Sequence, residues 1–179
     1  MKKLLVVLAS AWLAGCAGDQ TAMKPQDATA FFKPDFDKIY AAWSTLDPSK
    51  AASFYAKDPN LAFFDVSPLK YKGWQEYENG FKQAAADWKS MQVTLDPDFH
   101  ATQLGNIAWA TYTLDFVIQP KTGDVIRAQA RGTDVLEKRG DQWLIVHEHI
   151  SVPMMQEQPK VKAHKAKAAT HQKSKKRRR

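Results

Sequence analysis

Arg131-Gly132-Thr133-Asp134-Val135, then the turn Gly140-Asp141, then Trp143-Leu144-Ile145-Val146-His147-Glu148-His149-Ile150-Ser151-Val152-Pro153 form the stretch that decides the fold. β-Branched residues recur in both arms, Trp143 opens the second, and a short Gly-containing turn separates them, which is the pattern of a β-hairpin. It predicts strands over 125–138 and 143–152 with a turn over 139–142. Upstream, Gln119-Pro120-Lys121-Thr122-Gly123-Asp124 reads as another hairpin connection. It follows a strand over 107–118 rich in Thr, Tyr, Trp and Phe, and before that lies a strand over 91–102 interrupted near Pro97. The second half of the chain is therefore four strands in an antiparallel meander.

The front half alternates differently. Phe36, Ile39, Tyr40 and Trp43 recur at helical spacing and predict a helix over 34–45. Asp47-Pro48 pairs an N-cap acid with a proline suited to the first helical position, and predicts a short second helix to about residue 56. Residues 61–66 read as a strand. Trp74, Tyr77, Phe81 and Trp88 mark one face of a third helix over 74–88, with Gly80 an unexplained weak point inside it. Helices and strands segregate in this way in an α+β domain, here three helices packed on one face of a curved antiparallel sheet.

The chain's 179 residues allow one such domain with appendages, and 44% hydrophobic and 25% charged residues suit a globular core. A single cysteine excludes an internal disulfide and a Cys-rich zinc site. That cysteine closes a leader: Lys2 and Lys3, then ten apolar residues over 4–13, then Leu13-Ala14-Gly15-Cys16. Ten residues are too few to span a bilayer but suit the core of a signal peptide. The ending resembles the bacterial lipobox, which implies cleavage before Cys16 and lipidation of its thiol. The expected division is a signal peptide over 1–15, a tether over 16–30, the folded domain over 31–153 and a tail over 154–179. Ala17, in place of an Asp after the cysteine, points to the outer membrane facing the periplasm.

Residues 160–179, from Lys160 to Arg179, carry ten Lys or Arg and no acid. The whole chain is +7; without this tail and the two leader lysines, residues 16–159 come to −5. The positive charge therefore belongs to a segment that cannot bury a core, which predicts a disordered tail. Export argues against a nucleic-acid partner. Anionic envelope lipids or polymers are the expected contact, and the apolar anchor the expected membrane attachment.

The closing hairpin resembles that of SnoaL-like domains, members of the nuclear transport factor 2-like superfamily that also holds ketosteroid isomerases. The front half agrees: Phe54-Tyr55 before Asp58-Pro59-Asn60, the strand Phe63-Phe64-Asp65, then Gly73-Trp74 opening a helix. The resemblance covers residues 31–153. It implies a cone-shaped α+β roll around an apolar cavity, often dimeric through the outer sheet face. Strand alternation groups Arg131 with Gln129 and Thr133, and groups His147 and His149 with Trp143, Ile145 and Ser151. The resemblance implies that this Arg and His face looks into the cone, making Arg131, His147 and His149 a polar floor, with Trp43, Trp109 and Trp143 as walls. Leu144, Val146 and Ile150 would then form an outer apolar face calling for a second copy.

Asp65 is the candidate general base. Its place before Pro68 and Gly73 resembles that of the isomerase aspartate, and Tyr40 on the first helix resembles the family's oxyanion donor. His149 is an alternative base. The pair His147 and His149 lacks an obvious third ligand, so no metal is expected, and the sequence implies no cofactor. Three readings follow: a lipoprotein binding a small hydrophobic or amphipathic molecule, an isomerase- or dehydratase-type enzyme, and a non-catalytic dimeric assembly module.

Overall fold

The structure is a computed structural model that describes residues 23–153. Its spine is the long strand β6, Ile107–Pro120, which pairs antiparallel with β7, Ile126–Arg139; β7 pairs antiparallel with β8, Gln142–Ser151. The other edge of β6 is shared by two strands. β5, His100–Leu104, pairs with its first residues and β4, Trp88–Leu95, with its last. The predicted single strand over 91–102 is thus two strands meeting at a corner. Asp96 and Asp98 hold that corner by accepting from the Thr113 hydroxyl at 2.7 and 3.0 Å, while the Thr113 backbone N–H donates to Asp98 at 2.9 Å. Pro97 sits where the ladder is already broken, so its missing donor costs nothing.

Two further pairings extend the sheet. The two-residue β1, Gln26–Asp27, lies along β5, and β2, Ala62–Phe64, lies parallel to β8, with β3, Tyr71–Lys72, beyond it. The sheet is curved and mostly antiparallel, with this one parallel pair. Two α-helices fill its hollow side: α1, Thr29–Trp43, and α2, Gly73–Ala85. Helix α1 starts five residues before the predicted start. Asp27 accepts from the Thr29 N–H at 2.9 Å, and Phe32, only 1% exposed, pulls the first turn inward against Trp143. Pro34 therefore stands inside the helix, a case of packing overriding propensity.

The expected second helix over 47–56 is two short 3-10 turns, Pro48–Lys50 and Ala52–Phe54, so the α-helices number two among the described residues rather than three. Asp47 caps as expected, accepting from the Ser49 N–H at 3.1 Å. The segment cannot continue as a helix because Tyr55 turns extended and bridges to Ile145, and the Ala56 N–H donates to the Ile145 carbonyl at 2.9 Å. Helix α2 likewise ends at Ala85, and Trp88 opens β4 instead of closing the helix. Gly80 has a packing reason: a Cβ there would stand 2.1 Å from the Tyr71 ring.

One irregularity sets which side chains face inward. In the β7–β8 ladder, Val135 pairs with His147 but Leu136 pairs with Ile145, leaving Val146 as an extra residue. A bulge of this kind reverses the facing of everything beyond it. Ile145 before it and Glu148 and Ile150 after it are all buried. The expected outer apolar face therefore loses Ile150 to the interior. Along β7, Ala130, Asp134 and Leu136 are buried while Arg127, Gln129, Arg131 and Thr133 are exposed, the reverse of the expected orientation. The outer face of the sheet is mainly polar, with Ile107 and Trp109 as exposed apolar exceptions.

Candidate functional site

The helices do not fill the whole hollow. A cavity of about 270 Å³ remains between α1, α2 and the ends of β4, β6, β7 and β8. Its aromatic walls include Tyr40 and Trp43 from α1, Tyr77 and Phe81 from α2, Trp88 and Phe116. Met91, Val93, Ile118 and Ile150 add aliphatic surface. Val66 and Ile126 line it and are 55% and 51% exposed, so they stand at the entrance. A mostly apolar hollow with a few polar groups is the usual form of a small-molecule site.

The polar groups come from three places. Glu148 on β8 lines the cavity at 2% exposure and accepts two phenol hydroxyls, Tyr55 at 2.6 Å and Tyr77 by a very short bond. The Tyr55 hydroxyl in turn accepts from the Trp43 indole N–H at 3.0 Å. Burial pushes the Glu148 carboxyl up to about 7; the Tyr55 and Tyr77 hydroxyls pull it back and the Asp65 charge raises it further. Asp65, half-buried just after β2, lines the cavity and accepts from the Val66 N–H at 2.7 Å. Burial also raises its pKa above the ordinary carboxylate value, against that one backbone bond.

The third group is Tyr40. Its hydroxyl donates to Tyr112 at 2.5 Å, and the Tyr112 hydroxyl donates to Asp134 at 3.1 Å. Asp134 is fully buried, and its Oδ1 has no hydrogen-bond partner among the described residues. Burial, then the neighbouring Glu148 charge, push its pKa well up, with the Tyr112 bond acting the other way. Tyr40, Tyr55, Tyr77 and Tyr112 are all pushed well above 10, first by burial, so each is a neutral donor.

The expected site residues divide sharply. Asp65, Tyr40 and Trp43 line the cavity. Arg131 does not: it is exposed on the outer face, where its Nε donates to Ser151 at 3.1 Å. His147 Nδ1 lies 2.7 Å from the Ala62 carbonyl and ties β2 to β8, its ring edge-on to Phe64. His149 is exposed and does not line the cavity; with Phe64 and Leu69 it lines a groove that adjoins the cavity through Asp65, Val66, Ile150 and Val152. Trp109 is 36% exposed on the outer face. Trp143 faces inward but packs on Phe32, away from the cavity. Among the described residues, no group of three His, Cys, Asp or Glu could hold a metal ion. Cys16 and residues 160–179 lie outside the described residues.

Sequence reasoning missed Glu148 and Asp134, which it set on the outer face. A signal for Asp134 was present in β7: Arg127, Gln129 and Arg131 alternate with Ile126, Ala128 and Ala130. The small and apolar set belongs inside, and Asp134 has the same parity.

A curved sheet of many strands wrapped around two α-helices is the nuclear transport factor 2-like cone, an α+β fold. Within that class the chain belongs to the SnoaL-like domain family, whose model matches residues 26–155. A nuclear transport factor 2-like superfamily protein from Salmonella enterica superposes with a TM-score of 0.65 at 19% identity, covering 78% of this chain and 96% of that one. A Xanthomonas campestris structure, assigned as a calcium/calmodulin dependent protein kinase II association domain, gives 0.60 at 27% identity, covering 69% and 86%. A Streptomyces avermitilis protein, assigned as a dehydratase of the same fold family, gives 0.61 at 16%, covering 71% and 96%. No curated protein matches the chain.

Proposed function

We propose that the protein is a cell-envelope lipoprotein, anchored through Cys16, whose cone binds a small, largely apolar molecule carrying one polar group. The observation that carries this reading is the cavity of about 270 Å³, largely apolar along its walls, with Glu148 and Asp65 as its acids and a few hydroxyls, Tyr40 and Tyr77 among them, as its other polar groups. Exposed Val66 and Ile126 at its entrance, with Leu69 nearby at 93% exposure, suit the passage of a hydrophobic guest. The lipobox-like Leu13-Ala14-Gly15-Cys16 supports the envelope address, on the outer membrane and facing the periplasm.

A second reading rests on Asp65. A carboxylate with a raised pKa, sharing one cavity with a phenol donor at Tyr40, is an arrangement for moving a proton on a carbon acid, as in isomerisation or dehydration. One experiment addresses both. A panel of small apolar ketones and alcohols is screened by tryptophan fluorescence and thermal shift against the wild type, Ala128→Phe and Asp65→Asn. Binding by the wild type and its loss in a folded Ala128→Phe, where the added ring occupies the cavity, are expected. If no member of the panel binds, the cavity reading fails. Deuterium exchange at the carbon beside a bound ketone's carbonyl, lost in Asp65→Asn with binding kept, would establish the enzyme.

A further inference from the structure

Hydrogen-bond capacity, not polarity alone, decides what can enter the inner end of the cavity. Most donors there are already committed: Tyr40 to Tyr112, Tyr77 to Glu148, the Trp43 indole to Tyr55, and the Tyr71 hydroxyl to the Ser67 carbonyl at 3.2 Å, which leaves the exposed Ser67 hydroxyl and the half-buried Trp88 indole. The larger reserve is acceptor capacity. An ionised carboxylate offers about four lone-pair sites. Glu148 has one bond at each oxygen, and Asp65 accepts a single N–H at Oδ1. Among the described residues, no Lys, Arg or His lines the cavity. A guest bearing a carboxylate would bring a third acid to Glu148 and Asp65, and a guest whose polar group only accepts would find most of these donors taken.

Resting on the cavity reading above, we propose that the polar end of the guest is a protonated amine: the site takes a small lipophilic ammonium compound, its N–H groups on Glu148 and Asp65 and its cation against the aromatic walls. The walls fit that charge as well as the apolar body. Trp43, Tyr77, Phe81 and Trp88 present π-faces or edges around one hollow, and a desolvated cation is attracted to the negative faces of such rings. The amine also answers a problem internal to the fold. Glu148, Asp65 and Asp134 are three acids gathered on one side of the core without a base among the residues lining the cavity, and a cationic guest neutralises the two that reach it.

The test compares three probes of similar size on the full chain by calorimetry: 2-phenylethylamine, 2-phenylethanol and 3-phenylpropanoate. The amine is expected to bind at least about ten-fold more tightly than either of the others, the tenfold ratio corresponding to about 1.4 kcal/mol. Its preference over the alcohol falls at least several-fold in Glu148→Gln and in Asp65→Asn, while alcohol binding is kept. Amine affinity also rises from pH 5.5 to pH 8, because the amine stays charged, as lysine does below about 10.4, while Glu148 ionises. The groups facing Glu148 are Tyr40 on α1, Tyr55, Tyr77 on α2, Asp65 and Asp134, and the tyrosines remain neutral across that range. Equal or tighter binding of the alcohol or the acid overturns the proposal and leaves the cavity reading standing. So does an amine that fails to bind while apolar ketones bind. Failure of every probe removes both.

Discussion

Glu148 makes the case at the scale of one residue. It carries a formal charge into a 2%-exposed site, which is tolerable only because two phenols donate to it and because it can hold a proton. The consequence for stability has a definite sign. Its folded pKa of about 7 lies above the ordinary glutamate value of 4.5, so between those two values the native state binds more protons than the unfolded chain. Stability is then fully supported below about 4.5 and declines as pH rises toward 7. Asp134 and Asp65 are raised by burial too and act in the same direction. Thermal denaturation followed by circular dichroism should give a lower melting temperature at pH 8 than at pH 5. Glu148→Gln, which keeps the shape and removes the ionisation, should flatten much of that slope. A wild-type melting temperature that rises over this range contradicts the assignment.

At the scale of elements, the strands were legible and their facing was not. Residues 125–138 and 143–152 were readable as strands because β-branched and aromatic residues bounded by Gly-containing turns leave little choice. Strict alternation then failed at Val146, since one extra residue reverses every later side chain and nothing local marks it. That is why His147 and His149 read as floor and Glu148 as exterior. On β7 no bulge interferes through Asp134, and the polar Arg127, Gln129 and Arg131 point outward as burial cost requires. The corner at Asp96 and Asp98 and the 3-10 turns after Asp47 depend on partners far along the chain, Thr113 and Ile145, which local reading does not supply. Gly132 carries the prediction for this scale. A Cβ there would fall 2.1 Å from the Tyr112 ring. That ring cannot swing away, because Phe36, Tyr40 and Phe99 pack around it. Gly132→Ala should therefore destabilise by roughly 1–3 kcal/mol, the range for overpacking, although alanine suits a strand at least as well as glycine. Urea denaturation measures this, and an unchanged midpoint would mean that β7 and β6 separate more easily than their pairing indicates.

The molecule as a whole is organised by where its ends leave the domain. Gln26 pairs beside Gln103, which pairs with Ala108 near the start of β6. Ser151 pairs with Arg131, which pairs with Thr113, and the following Val152 lines the cavity. Along the direction of β6 the two exits are offset by about five residues, roughly 17 Å at strand rise, and they stand four strands apart across the sheet; the later one lies on the cavity side. Beyond Pro153 the chain reaches Lys160 within about 25 Å even when fully extended. The tail's ten cations therefore begin close to a domain that is itself acidic, −5 over residues 16–159. Opposite charges on one chain could attract each other, but two of the domain's acids, Glu148 and Asp134, are buried away from the surface. The expected partner is an external polyanion, and its contact would place the cavity entrance near the anionic surface. In a chain beginning at Ala17, so that the lipid anchor plays no part, binding to vesicles containing phosphatidylglycerol should be strong at low salt and largely lost at about 0.5 M, where the screening length falls to a few ångströms. Replacing the ten tail Lys and Arg with Gln should abolish it, and neutral vesicles should not bind. Retention that ignores salt, or survives those replacements, would assign the contact to exposed Val66, Leu69 and Ile126 at the entrance instead.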